Sequence, residues 1–304
     1  MIDFNSFLKD KVLCKISRTE LIKKLQVKHY LFNGLDEITL SRWINGRTVP
    51  SVEKQLIIAK DMNLVDEYLY SIENKEIPKK LESLFKLYWS SIDNSFHAVF
   101  HIEKNKKFQF YRDSLLGIQD KLPLIKKLEL AYPTKRNLDI NFPMEHFVIS
   151  SLETNEIISH TSIYTSLRKL LLSINTEETI IKEIEEQCNV ESSIVHGLTF
   201  CASSEDHKLL LGILGNYILE HYFYKKNILA IVRGTIAAGI YEESGASQIC
   251  CIKNSKDFDN FYLYSIGTTS FLSNPMIFCL IIKYKNFYEQ LKTSGAFYWR
   301  KTLK

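Results

Sequence analysis

The side chains able to do chemistry are spread thinly along this chain. Of its eight histidines, His97 and His101 stand at the helical i, i+4 spacing that lets two imidazoles share a metal. No cysteine, aspartate or second pair lies near them to complete a ligand set, so no metal site is expected. Cys14, Cys188, Cys201, Cys250, Cys251 and Cys279 form no C-x-x-C pair, and several lie in apolar runs. They read as small core residues in a reducing compartment. No nucleophile motif marks a Ser-His-Asp arrangement. Ser203-Ser204-Glu205-Asp206 offers capping groups ahead of an apolar helical run that contains Gly212 and Gly215. Charge is denser near the start. Lys9 to Lys60 holds eleven Lys and Arg against five Asp and Glu, a local balance of +6. Such an excess is the footprint a phosphate-binding surface needs, and it fits an ordinary solvated helical surface equally well.

Those residues need elements to position them, and the chain divides by pattern. Residues 1–72 read as short helices. Ser17-Arg18-Thr19-Glu20 fits a capping box, in which hydroxyl and carboxylate satisfy each other's end of the first turn. Asp36 is expected to cap a second helix ending at Asn45, with Gly46 in the left-handed position beyond. Leu40, Trp43 and Ile44 form its buried stripe. Ser51 caps a further helix, Val52–Met62. Residues 73–140 are expected to link and couple, through a helix over Lys79–Asp93 with Leu81, Leu84, Phe85, Tyr88 and Ile92 on one face. From 141 to 304 the pattern turns α/β. A hairpin is expected from Glu145–Leu152 and Glu156–Tyr164, with helical patterns at 165–173 and 176–187. Then come a strand (Ser193–Ala202), a helix (Glu205–Phe223), a strand (Ile228–Val232), a helix (Thr235–Ser244) and strands at Gln248–Lys253, Phe261–Ile266 and Met276–Tyr284.

Composition bounds the class. The chain has 304 residues, 45% hydrophobic and 12% aromatic, enough for two folded domains and against disorder. A net charge of +4 is only mildly basic. The opening stretch is charged within ten residues and lacks a signal-peptide core. The apolar run Met276–Ile282 is shorter than the roughly 20 residues a bilayer span takes. A cytoplasmic protein without a membrane partner is expected.

The stretch ITLSRWINGRTVPS, Ile38–Ser51, resembles the recognition helix and following turn of the phage-repressor-like (XRE) helix-turn-helix family. Its Ser-Arg-Trp core, Gly and Pro-Ser carry the resemblance, which spans about residues 5–70. The chain departs from the family's tight turn by inserting several residues around His29–Asn33. The resemblance implies double-stranded DNA as a partner. Arg42 would bond guanine, and Ile38 or Thr39 would meet a thymine methyl near Glu37. Arg18 and Arg47 would lie near phosphates. It also implies a homodimer on paired half-sites, and the stripe on Lys79–Asp93 is one surface that would serve.

The order from 145 to 253 resembles the GNAT acyltransferase fold, most clearly at AAGIYEESGA, Ala237–Ala246. That resemblance would make Tyr241 a general acid. The segment Cys201–Leu219 is similar to the junction that binds the acyl-CoA pyrophosphate, which would give Ser203, Ser204, Gly212 and Gly215 as ligand-binding residues; read by themselves, Gly212 and Gly215 lie in a helix core and permit close packing. The spacing of the glycines departs from the family motif, Leu209 stands where a cation belongs, and Glu205 and Asp206 repel phosphate.

The expected whole is a multi-domain chain, with an all-α helix-turn-helix domain followed by a GNAT-like α/β domain. Its expected function is a DNA-binding transcription regulator whose second domain senses a small ligand, dimerises, or both, with no cofactor. The alternative is an active acyltransferase that uses acyl-CoA.

Overall fold

The computed structural model describes residues 3–71, 77–96, 107–114, 144–153, 155, 157–164, 166–168, 171, 178–187, 192–197, 199–252 and 261–300. His97 and His101, most of 95–140, Cys188 and Thr154 lie outside them. The chain forms two compact units, Met1–Glu76 and Ile77–Lys304. The helix and the strand found between 79 and 114 thus belong to the second unit instead of standing as a linker.

The first unit is a set of short helices: α1 (Phe4–Phe7), which runs on as a wide turn through Val12, α2 (Arg18–Lys28), α3 (Glu37–Ile44), α4 (Val52–Asp61) and α5 (Val65–Ser71). Their starts are capped as the side chains dictate. Ser17 and Glu20 form the reciprocal box, while Asp36 and Ser51 accept the N–H of Thr39 and Lys54. Gly46 has φ +67°. The residues inserted between α2 and α3 make a short 3-10 turn, Tyr30–Phe32, with Phe32 in the core. Phe7, Leu21, Leu25, Leu40, Trp43, Leu56 and Tyr68 bury together with it.

The second unit is mixed α/β. Its eight-stranded sheet runs β6-β7-β5-β4-β3-β2-β1-β8. The strands are β1 (Lys107–Ser114), β2 (Met144–Ser151), β3 (Ile157–Tyr164), β4 (Ser193–His196), β5 (Asn227–Arg233), β6 (Ser247–Ile252), β7 (Phe261–Gly267) and β8 (Ala296–Arg300). The helices are α6 (Lys79–Phe96), α7 (Glu178–Gln187), α8 (Ser204–His221), α9 (Thr235–Glu243), α10 (Thr268–Ser273) and α11 (Pro275–Ser294). The order hairpin, strand, helix, strand, helix, strand expected from 145 to 253 is observed. Every neighbouring pair of strands is antiparallel except β4 and β5, which are parallel.

Two expectations need correction. Met276–Tyr284 is helix, not strand. Asn274 caps it through the N–H groups of Met276 and Ile277, Pro275 opens it, and Gly295 at φ +72° closes it. A short apolar run does not distinguish helix from strand, and here the caps decide. The strand expected over Ser193–Ala202 stops at His196. The cysteines are also less uniform than expected, because Cys14 and Cys251 are exposed while Cys201 is buried. Among the described residues, no helix is long and apolar enough to cross a membrane.

Candidate active site

The parallel pair sets the site. β4 and β5 are in register from Ser193↔Asn227 to His196↔Ala230. Beyond His196 the chain stays with β3: the Gly197 N–H donates to the Ser162 carbonyl at 3.0 Å, and Phe200 bridges His160. β5 meanwhile continues to Arg233 alongside β7. The two strands therefore part, and a cavity of about 490 Å³ opens between them. Gly197 is required where they part, because a Cβ there would stand 2.2 Å from the Tyr164 ring.

The cavity wall is largely apolar, with Leu211, Ile231, Ile240, Phe271 and Ile277, and α6 closes it with Phe85, Tyr88, Ser91 and Ile92. Arg233, Ser244 and Asn274 also line it, and a second set of polar groups converges on His196. The Tyr241 hydroxyl lies 3.4 Å from His196 Nδ1. His196 Nε2 lies 2.9 Å from Thr161 Oγ1 and 3.1 Å from Thr199 Oγ1, and those two hydroxyls are 2.7 Å apart. Burial pulls His196 down to about 4, so the ring is neutral near pH 7. Burial pushes the Tyr241 phenol up, so it keeps its proton. An apolar pocket with a few convergent polar groups and displaced pKa values is the usual form of a small-molecule or catalytic site.

The start of α8 borders the same cavity, through Cys201 and His207. Its N-cap is Ser203, whose hydroxyl accepts the Asp206 N–H. Asp93 of α6 takes the next donors, accepting the Ser204 N–H and the Ser204 hydroxyl, each at 2.8 Å. Ser159 Oγ accepts the Ala202 N–H and donates to Asp206, which fastens the junction to β3. Trp89 Nε1 donates to His207 Nδ1 at 3.1 Å. Burial holds His207 down at about 3, with smaller effects from His196 and Lys208. Lys80 pairs with Glu243, a further tie between α6 and α9.

The sequence-derived residues divide accordingly. Tyr241 lines the cavity. Ser203 and Ser204 lie at the start of α8, with their donors and acceptors engaged by the chain itself. Gly212 and Gly215 are inside α8, not in a loop, and lie against α11. A Cβ on Gly212 would come 2.6 Å from the Tyr284 ring and 2.7 Å from the Leu280 carbonyl; one on Gly215 would come 2.6 Å from Ile281. They are close-packing positions. The stripe offered for dimerisation is covered by its own chain, with Leu81 and Phe85 buried and Tyr88 and Ile92 at the cavity. Sequence reasoning missed His196, Thr161, Thr199, Asp93 and Trp89. No linear spacing joins them, since Asp93 and Ser204 are 111 residues apart. Among the described residues, no cluster of three His, Cys, Asp or Glu is placed to hold a metal.

In the first unit, Arg18 and Arg42 are exposed, as is Arg47, whose N–H donates to the Arg42 carbonyl. Ile38 is 64% exposed. Glu37 accepts from the Thr19 hydroxyl at 3.2 Å, and the Thr39 N–H is taken by Asp36 at 2.6 Å. The end of α3 expected to face a nucleic acid thus presents two carboxylates, with the amide of its third residue already capped.

No family model matches the chain, so the XRE resemblance has no support of that kind. No curated protein matches it. Among solved structures it is similar to a CoA-dependent acyl-homoserine lactone synthase (9% identity, 57% of this chain and 94% of that one, TM-score 0.37). It is also similar to an N-acyl amino acid synthase from uncultured soil microbes (11%, 54% and 91%, 0.39). A third is spermidine N-acetyltransferase from Vibrio cholerae (10%, 54% and 96%, 0.35). At such identities and scores, the chemistry has to be read from the site itself. The expectation of a DNA-binding transcription regulator is nevertheless corrected. These structures are synthases and an acetyltransferase, not DNA-binding transcription regulators.

Proposed function

We propose that the unit Ile77–Lys304 is an acyltransferase that moves an acyl group from a thioester to a nucleophilic acceptor such as an amine. The observation that carries this reading is the half-buried Tyr241, whose hydroxyl is held 3.4 Å from His196 Nδ1 in the cavity where β4 and β5 part. In acyl transfer the acceptor attacks the thioester carbonyl carbon. A bond forms from nucleophile to carbon, the carbon–sulfur bond breaks, the acceptor loses a proton and the departing thiolate gains one. Tyr241 suits the second proton transfer, because burial keeps it protonated and it faces the cavity. His196 Nδ1 stands behind the phenol to return a proton to it. The apolar walls suit an acyl chain and keep water from competing for the thioester.

The test is thiol release from octanoyl-pantetheine in the presence of amine acceptors, comparing the wild type with Tyr241→Phe. Release that depends on the acceptor, and falls about 100-fold or more in the variant, is expected. Release unaffected by the substitution, or absent with every acceptor tried, would overturn the reading.

A further inference from the structure

Coenzyme A, the donor that the GNAT resemblance implies, has to place a pyrophosphate, and this chain offers a poor place for one. The N-terminus of a long helix is where backbone N–H groups and the helix dipole ordinarily receive such a group. α8 has 18 residues and begins at the cavity. Two of its first three amide donors are spoken for. Asp93 holds both the Ser204 N–H and the Ser204 hydroxyl at 2.8 Å, and Ser203 holds the Asp206 N–H at 3.2 Å. Asp93, Glu205 and Asp206 bring three carboxylates to one helix start, and the Asp206 side chain is buried. Lys208, a nearby cation, is held by Glu205 at 2.6 Å and lies 4.5 Å from the Trp89 ring, while Arg233 at the end of β5 also lines the cavity.

We infer that Asp93 is a specificity-determining residue: its carboxylate fills the anion position at the start of α8, so the site selects thioesters without a pyrophosphate over acyl-CoA. The inference rests on the acyltransferase reading and narrows its donor class. Asp93 belongs to α6, the helix that also closes the cavity. Trp89 to His207, Tyr88 against the His207 ring at 5.1 Å, and Lys80 with Glu243 hold that helix in place. The carboxylate is therefore built into the site and not a chance surface contact. A phosphate would have to displace two charge-assisted hydrogen bonds and then lie among like charges.

The experiment compares octanoyl-pantetheine with octanoyl-CoA as donors, and measures binding of CoA alone by calorimetry, in the wild type and in Asp93→Asn. The wild type should favour octanoyl-pantetheine in kcat/KM by about ten- to a hundred-fold, the worth of hydrogen bonds to a charged group. Asp93→Asn should lose most of that preference and bind CoA about ten-fold more tightly or better. Equal use of both donors by the wild type, or CoA binding unchanged by the substitution, would overturn the inference. The calorimetry needs no turnover. If neither donor reacts, the acyltransferase reading fails, and the CoA affinities of the two proteins still decide the role of Asp93. Should Asp93→Asn not fold, wild-type CoA binding at low micromolar would itself overturn the inference, and its absence beside octanoyl-pantetheine turnover would support it.

Discussion

Tyr241 on α9 and His196 at the end of β4 meet through the phenol oxygen and Nδ1, and Thr161 and Thr199 flank the far side of the same imidazole. A neutral imidazole carries one proton, so the tautomer decides what the phenol can do. If Nε2 accepts, the hydroxyl protons of Thr161 and Thr199 are both used within their triangle. Nδ1–H then donates to the Tyr241 oxygen and leaves the phenolic proton for a bound substrate. If Nε2 carries the proton, the phenol is committed to Nδ1. The expected state is Nδ1–H, read from the nitrogen shifts of ¹⁵N-labelled His196. Thr161→Val with Thr199→Val should move the population toward Nε2–H and lower kcat by about ten-fold or more with KM little changed. Finding Nε2–H already in the wild type would defeat this arrangement.

Acid should destabilise the second unit over a defined window. His146, His160, His196 and His207 are buried, and burial holds them at about 3, 4, 4 and 3 against an ordinary 6.5. Each is neutral when folded and gains a proton on unfolding once the pH is below 6.5. Stability is thus fully present above pH 6.5 and falls as pH drops from there toward about 4, by about 1.4 kcal/mol per pH unit for each group. Urea midpoints at pH 7.5, 6 and 5 should fall steeply. A midpoint unchanged between pH 7.5 and 5 would show that these rings are not held neutral.

Local signals in the sequence reached the fold better than the site. Ser17-x-x-Glu20, Asp36 and Ser51 mark helix starts by side-chain chemistry that acts within four residues, and the structure uses all three. The Met276–Ile282 run is ambiguous by its apolar residues alone, because they serve a helix packed on α8; Asn274, Pro275 and Gly295 at the helix ends carry the signal that decides. Of the site, Tyr241 and the serines at the start of α8, Ser203 and Ser204, were legible. His196, Thr161 and Asp93 come from three separate elements, and only strand register and the packing of α6 bring them to one cavity.

In the first unit a buried relay ties α5 to the turn before α4. Tyr68 donates to Gln55 Oε1 at 2.8 Å, and Gln55 Nε2 donates to the Pro50 carbonyl at 2.7 Å. Both side chains are essentially inaccessible. Tyr68→Phe keeps the ring and its edge contacts with Phe4 and Phe7 but strands the glutamine oxygen. It should cost about 1–3 kcal/mol by urea unfolding, the penalty for an unsatisfied buried acceptor. A variant as stable as the wild type would mean that water replaces the phenol.

Gly212 offers a test in which the sign alone decides. Judged by helix propensity, Gly→Ala inside α8 should stabilise by about 1 kcal/mol. Judged by packing, the new methyl would collide with both the Tyr284 ring and the Leu280 carbonyl of α11. The carbonyl is backbone and cannot rotate away, so α8 and α11 would have to separate. Overpacking of that kind costs about 1–3 kcal/mol, which outweighs the propensity gain over most of that range. Gly212→Ala should therefore lower the urea midpoint. An alanine placed instead at Gly239 of α9, where the nearest atom is Leu84 Cδ2 at 3.9 Å, should leave it unchanged or raise it. If both substitutions stabilise, Gly212 is no close-packing position, and its place facing α11 has to be reconsidered.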